Sequence, residues 1–217
     1  MSLVTSIPES IVTAMRRLDA MGLNRASSGN CSVREKDTFW ITPSGVPSEL
    51  LQPDQIVRMM VSGTVPGTTA LQPSSEWRFH HDLYANRPDI NAVVHAHSPF
   101  ATTLACLHKD IPPFHYMIAV AGGDTIRCAP YALFGSQDLS DHAITAMKDR
   151  KACLLANHGM IAAGKSLADA MRVAIEVESL CEQYWRALQI GEPNLLSSQQ
   201  MHEVIEKFKT YGPRHAD

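Results

Sequence analysis

The chain has 217 residues, enough for one large domain or two small ones, with an ordinary 45% hydrophobic and 19% charged content. A formal net charge of −3 speaks against a protein that grips nucleic acid through bulk electrostatics, and no apolar run approaches a membrane span. The five cysteines are widely spaced with no Cys-x-x-Cys, which fits reduced thiols in cytoplasm better than a disulfide scaffold, and Met1 to Glu9 reads as no signal peptide.

Ser6 and Glu9 form a capping box around Pro8, and Ile11, Met15, Leu18 and Met21 recur at helical spacing until Gly22. The small polar run Ala26 to Asn30 leads into a hairpin, Cys31–Arg34 and Phe39–Thr42, which ends at Pro43-Ser44-Gly45. Ile56 to Val61 reads as a strand, and Gly63 to Gln72 as a loop. Pro73-Ser74-Ser75-Glu76 opens a helix closed by Pro88, with the serines as caps and Glu76 in the first turn.

Ile90, Val93 and Val94 mark a buried strand that carries His95 and His97 at its end, and Ser98-Pro99 stops it. Side chains two apart on a strand share a face, so the two imidazoles project together from one edge of the sheet. Phe100 to Leu107 reads as a helix and His115 to Val120 as a strand. Gly122-Gly123-Asp124 is a turn, Ile126 to Ala132 a strand, and Leu139 to Asp149 a helix. Ala152 to Gly164 folds back on itself at His158-Gly159, which puts His158 at a turn. Two helices close the chain, Leu167 to Ile190 and Gln199 to Lys209, before a polar tail from about residue 210. The order predicts a single α/β domain over 1–217, with a largely antiparallel or mixed central sheet flanked by helices.

Gly159 to Ser166 satisfies the phosphate-loop pattern G-x-x-x-x-G-K-S. Its Met-Ile-Ala-Ala interior reads as strand rather than as an anion cradle, so the match is taken as coincidence.

His95, His97 and His158 supply three neutral nitrogen donors, the set of a catalytic zinc with an open position. A carboxylate beside such a Lewis acid suits proton abstraction next to a carbonyl, which is the part given to Glu76. The loops around Asn30, Ser44 and Ser74 offer hydroxyls and backbone N–H groups to an anion.

Gly29-Asn30-x-Ser32, Thr42-Pro43-Ser44-Gly45, Pro73-Ser74-Ser75-Glu76, His95-Ala96-His97 and Asn157-His158-Gly159 resemble the class II aldolase/adducin family nearly end to end. The likeness is strongest to members that cleave L-fuculose 1-phosphate, notably at Trp77 to His80, His115 to Ala119 and Lys207 to Gly212. The resemblance implies retro-aldol cleavage to dihydroxyacetone phosphate and L-lactaldehyde through a metal-stabilised enediolate, in a cytoplasmic homotetramer with active sites between subunits. It implies one zinc ion per subunit on His95, His97 and His158, with Glu76 as acid/base and further metal contact. Asn30, Ser44, Gly45, Ser74 and Ser75 would clamp the phosphate. Tyr116 from a neighbouring subunit would donate a proton on the aldehyde side, and Phe134 and Tyr211 would shape the aldehyde pocket. Ser27-Ser28 and Ser44 depart from the family pattern but stay small, and Asn157 stands where some members carry histidine. A related epimerase, decarboxylase or dehydratase, or a non-catalytic adducin-like module, is the alternative; intact histidines weigh against the last. The other histidines, His80 among them, are expected on solvated positions.

Overall fold

The computed structural model describes residues 5–62 and 71–210. The first helix, α1 (Ile7–Ala20), carries the reciprocal Ser6–Glu9 capping box and buries Ile11, Met15 and Leu18. The hairpin strands are β1 (Asn30–Glu35) and β2 (Thr38–Ile41), followed by β3 (Val57–Met60). Then come α2 (Trp77–Asn86), β4 (Ala92–Ala96), α3 (Pro99–Ala105), β5 (Arg127–Ala129) and α4 (Gln137–Ala146). The chain continues with β6 (Ala152–Leu155), β7 (Gly159–Gly164), α5 (Leu167–Ile190) and α6 (Ser198–Phe208). Thus the expected α/β class with a flanked mixed sheet is what forms.

Seven strands make one sheet in the order β3-β2-β1-β4-β7-β6-β5. Every pairing is antiparallel except that of β5 with β6. The period-2 alternation of side chains sends Ala92, Val94 and Ala96 of β4 to one face and Val93 and His95 to the other. The first face packs against α1, α3, α5 and α6. Phe79 and Leu83 of α2 and Leu139 and Ala143 of α4 cover the second. Among the described residues no helix is long and apolar enough to cross a membrane.

Several local expectations change. The His95 strand is buried at the centre of the sheet, between β1 and β7, with His97 just past its end. His115 to Val120 is no strand: Tyr116–Ala121 form a 3-10 helix, started where His115 Nδ1 accepts the Met117 N–H and closed by left-handed Gly122. Its Ile118, Val120 and Ala121 are buried in the α1/α5 layer, and that burial overrides their strand propensity. β5 stops at Ala129 because Pro130 follows and cannot donate to a ladder. The expected loop from Gly63 falls largely outside the described residues. The phosphate-loop look-alike is β strand from Gly159 to Gly164, fully buried, and the Lys165 N–H is taken by Asp169.

Candidate metal centre and active site

The site forms where three central elements meet. β4 delivers His95 from within the strand and His97 just past its end. The tight β6–β7 turn delivers His158, beside Asn157 in the left-handed region at φ 55°. α2 begins at Glu76, which is the N-cap residue. Ser74 and Ser75 therefore precede the N-cap; Ser74 Oγ accepts the Glu76 N–H, and the Glu76 side chain makes no cap hydrogen bond.

The four groups converge. Glu76 Oε2 lies 3.2 Å from His95 Nε2, and Oε1 lies 3.1 Å from His158 Nε2. His97 Nε2 is 2.9 Å from His95 Nε2. The three rings sit 4.8 Å apart pairwise, at interplanar angles of 70–77°. His95 Nδ1 donates to the Met160 carbonyl at 2.9 Å, which leaves Nε2 as a bare lone pair facing its neighbours. The His97 N–H donates to Asn24 Oδ1.

These donors fit a divalent ion. Tetrahedral bonds of about 2.0–2.1 Å set donor atoms roughly 3.3 Å apart, close to the separations observed. Glu76 Oε1 is buried without a hydrogen bond although His158 Nε2 is near, as expected of lone pairs aimed at a common centre rather than at each other. His97 and His158 add the mouth of the site to its buried floor.

Electrostatics agree with an ionised acid at the floor of the site. Burial alone would raise the Glu76 carboxyl, but His95 and His158 together outweigh it and hold it well below the usual carboxylate range. Burial, then the other two imidazoles, pushes His97 down to about 4. Burial also depresses His95, yet contact with Glu76 more than offsets it, so its net shift is upward.

Beside this centre lies a cleft of about 330 Å³. Pro43 bridges Pro73, the Ser44 N–H donates to the Gln72 carbonyl and the Ser74 N–H to that of Thr42, so two polar loops become one wall. Asn30, Ser44, Gly45, Ser74 and Ser75 line the cleft. The Asn30 amide is already engaged, donating from Nδ2 to Glu76 Oε2 at 2.9 Å. Phe134 lines the mouth, and so does Tyr131, which sequence reading missed. Tyr116 does not line it; half exposed, it packs against His115 and Phe208 of its own chain. Tyr211 lies outside the described residues. His80 was expected in solvent and is fully buried one turn below Glu76.

The model of the class II aldolase and adducin N-terminal domain matches residues 9–185. The chain belongs to the class II aldolase and adducin family. Within this family it is 54% identical to the 5-methylthioribulose-1-phosphate/5-deoxyribulose-1-phosphate aldolase of Rhodospirillum rubrum, over 93% of this chain and 90% of the relative. It is 46% identical to the L-fuculose phosphate aldolase of Escherichia coli, over 94% of each. A solved L-fuculose 1-phosphate aldolase superposes with a TM-score of 0.91 at 38% identity, covering 95% of this chain and 97% of that one. This class II aldolase thus has sugar-phosphate aldolases among its relatives, and its Glu76, His95, His97 and His158 form a group that could hold a metal ion.

Proposed function

We propose that the chain is a zinc-dependent aldolase that cleaves a ketose 1-phosphate to dihydroxyacetone phosphate and a short aldehyde with an apolar end. The observation that carries this reading is the Glu76 carboxylate set 3.1–3.2 Å from two imidazole nitrogens at the floor of a polar cleft. His95, His97 and His158 would hold the ion, with Glu76 as a further contact before substrate enters. When bound, the ion would supply a Lewis acid that stabilises the negative charge developing beside the ketose carbonyl.

The residues of the chain do the rest. Ser44, Gly45, Ser74, Ser75 and Asn30, with the uncapped start of α2, bind the phosphate and fix the distance to the reacting carbons. In cleavage the hydroxyl proton on carbon 4 leaves, the carbon 3–carbon 4 bond breaks, and its electron pair stays with the three-carbon fragment. Glu76, which has taken up a proton from solvent, then places it on carbon 3. Tyr116 from a neighbouring copy of the chain passes the carbon 4 hydroxyl proton to solvent on the aldehyde side, and supplies one in condensation, so one proton enters and one leaves per turnover. That assignment requires the homotetramer, and the half exposure of Tyr116 away from its own cleft supports it. Tyr211 joins the aldehyde pocket in the same assembly. The free cysteines of the described residues fit a cytoplasmic location.

For the substrate, the wall of Tyr131, Ala132 and Phe134 favours an aldehyde that ends in carbon or sulfur rather than hydroxyl. L-Fuculose 1-phosphate, 5-deoxyribulose 1-phosphate and 5-methylthioribulose 1-phosphate share that feature. The test is a panel of these three with D-ribulose 1-phosphate, following release of dihydroxyacetone phosphate before and after chelation. Cleavage of the terminal-deoxy or methylthio compounds, lost on chelation and restored by zinc, is expected. Equal rates with the hydroxylated ketose would refute the apolar pocket, and chelator-insensitive cleavage would refute the metal.

A further inference from the structure

Glu76, His80 and Tyr84 fall four residues apart on one side of α2, and Asn30 and Ser32 fall two apart on β1. The two rows interleave. Glu76 Oε2 meets Asn30 Nδ2 at 2.9 Å, and Asn30 Oδ1 meets His80 Nε2 at 2.6 Å. His80 Nδ1 meets Ser32 Oγ at 2.7 Å, and Ser32 Oγ meets the Tyr84 hydroxyl at 2.6 Å. His80 and Ser32 are wholly enclosed, and Asn30 and Tyr84 nearly so.

With a neutral, buried imidazole at His80, one direction of donation satisfies all of these contacts. An ionised carboxylate accepts and never donates, so the Asn30 atom facing Glu76 is the amide nitrogen. The Asn30 oxygen therefore faces His80, and His80 Nε2 must carry the proton. Full burial away from water pushes His80 down to about 3, so its second nitrogen is bare. That nitrogen accepts the Ser32 hydroxyl, and Ser32 accepts Tyr84. Every donor from Tyr84 to Glu76 points the same way. A buried chain of this kind holds each member in one orientation, because reversing any link leaves two donors or two acceptors face to face.

We propose that His80 is a positioning residue that locks the Asn30 amide against Glu76, and so fixes the carboxylate in the pose from which it moves a proton. This rests on the proposed aldolase reading for its kinetic consequence, but not for its geometry. Asn30 thereby has a structural duty toward the acid in addition to any contact with phosphate.

The imidazole state is read by ¹⁵N NMR on metal-loaded protein labelled at histidine, with the His80 signals identified by their absence in His80→Asn. Between pH 6 and 8, Nε2 protonated with Nδ1 bare is expected; the opposite tautomer, or a doubly protonated ring, overturns the proposal. Two variants separate positioning from mere packing. His80→Gln keeps a donor near the Nε2 position, whereas His80→Asn reaches only as far as Nδ1. His80→Asn should lower kcat for proton exchange at dihydroxyacetone phosphate by about 10- to 100-fold with KM little changed. His80→Gln should recover most of that loss. Equal activity in both variants, or a loss confined to KM, would overturn it.

Zinc competition titration supplies a readout that needs no catalysis, and His80→Asn should bind the ion more weakly than His80→Gln. If the wild-type protein cleaves and exchanges nothing, the aldolase reading fails, while the tautomer and the zinc titration still decide the relay. If His80→Asn does not fold, the signals are assigned from His80→Gln instead, and the wild-type tautomer decides.

Discussion

Gly159→Ala tests how closely the metal site depends on strand packing. A Cβ at Gly159 would lie 2.4 Å from the Ala96 carbonyl oxygen and 3.2 Å from His97 Cδ2. Ordinary contact begins near 3.4 Å, so about 1 Å must be found from a backbone oxygen inside the sheet. Ala96 pairs with Met160 in the β4–β7 ladder, and the peptide that must shift leads straight into His97. The variant relieves the overlap by moving this segment, and binding the ion must force it back. Overpacking of that size costs about 1–3 kcal/mol, or about 5- to 150-fold in metal affinity. The assay is zinc competition against a chromophoric chelator, with Gly191→Ala as control. Gly191 is extended, at φ 168°, and an added methyl there meets nothing within 4 Å. Zinc affinity within twofold of wild type in Gly159→Ala would refute the close coupling of strand and site.

Other outcomes follow from single contacts. Glu178 of α5 accepts from Ser98 Oγ and the Phe100 and Ala101 N–H groups at 2.7–2.8 Å, capping α3 just beyond His97. Glu178→Ala should cost about 2–4 kcal/mol and lower Tm by roughly 5–10 °C; a change under about 1 kcal/mol in denaturant unfolding would count against that cap. Asp82 is raised by burial, but hydrogen bonds from Ser140, Gln137 and His81 outweigh this and leave it below its ordinary value. Its contribution is complete above the unfolded value of about 3.9 and is lost as pH falls through the lower folded value. Asp82→Asn should therefore flatten the loss of stability on acidification below about pH 5, whereas an unchanged slope of denaturation midpoint against pH would dismiss Asp82 as a contributor. Tyr116→Phe should slow sugar-phosphate cleavage at least about tenfold more than proton exchange, since exchange involves no aldehyde; equal losses would remove its proton-transfer role.

Much of this architecture is legible in the chain because local chemistry and tertiary demand agree. α5 begins and ends where Ser166 and Gly191 punctuate it, and α1 keeps its capping box. The three histidines are visible because strand periodicity and a glycine turn give them fixed directions. His80 was hidden for a different reason. On α2 it borders the apolar stripe of Phe79 and Leu83, and a polar residue there reads as solvent-facing. Its partners Asn30 and Ser32 lie 50 and 48 residues away, and only strand–helix docking brings them to it. The spacing of Glu76, His80 and Tyr84 was the available signal. The 3-10 segment at Tyr116 misled because apolar β-branched residues suit any buried backbone, and its burial against α5 decides the outcome.

The most direct test is hydrogen exchange at carbon 3 of dihydroxyacetone phosphate by Glu76→Gln, with bound zinc counted in the same sample. The account predicts about one ion per chain and exchange lowered at least about 100-fold. Zinc-loaded Glu76→Gln that exchanges as fast as wild type would contradict it.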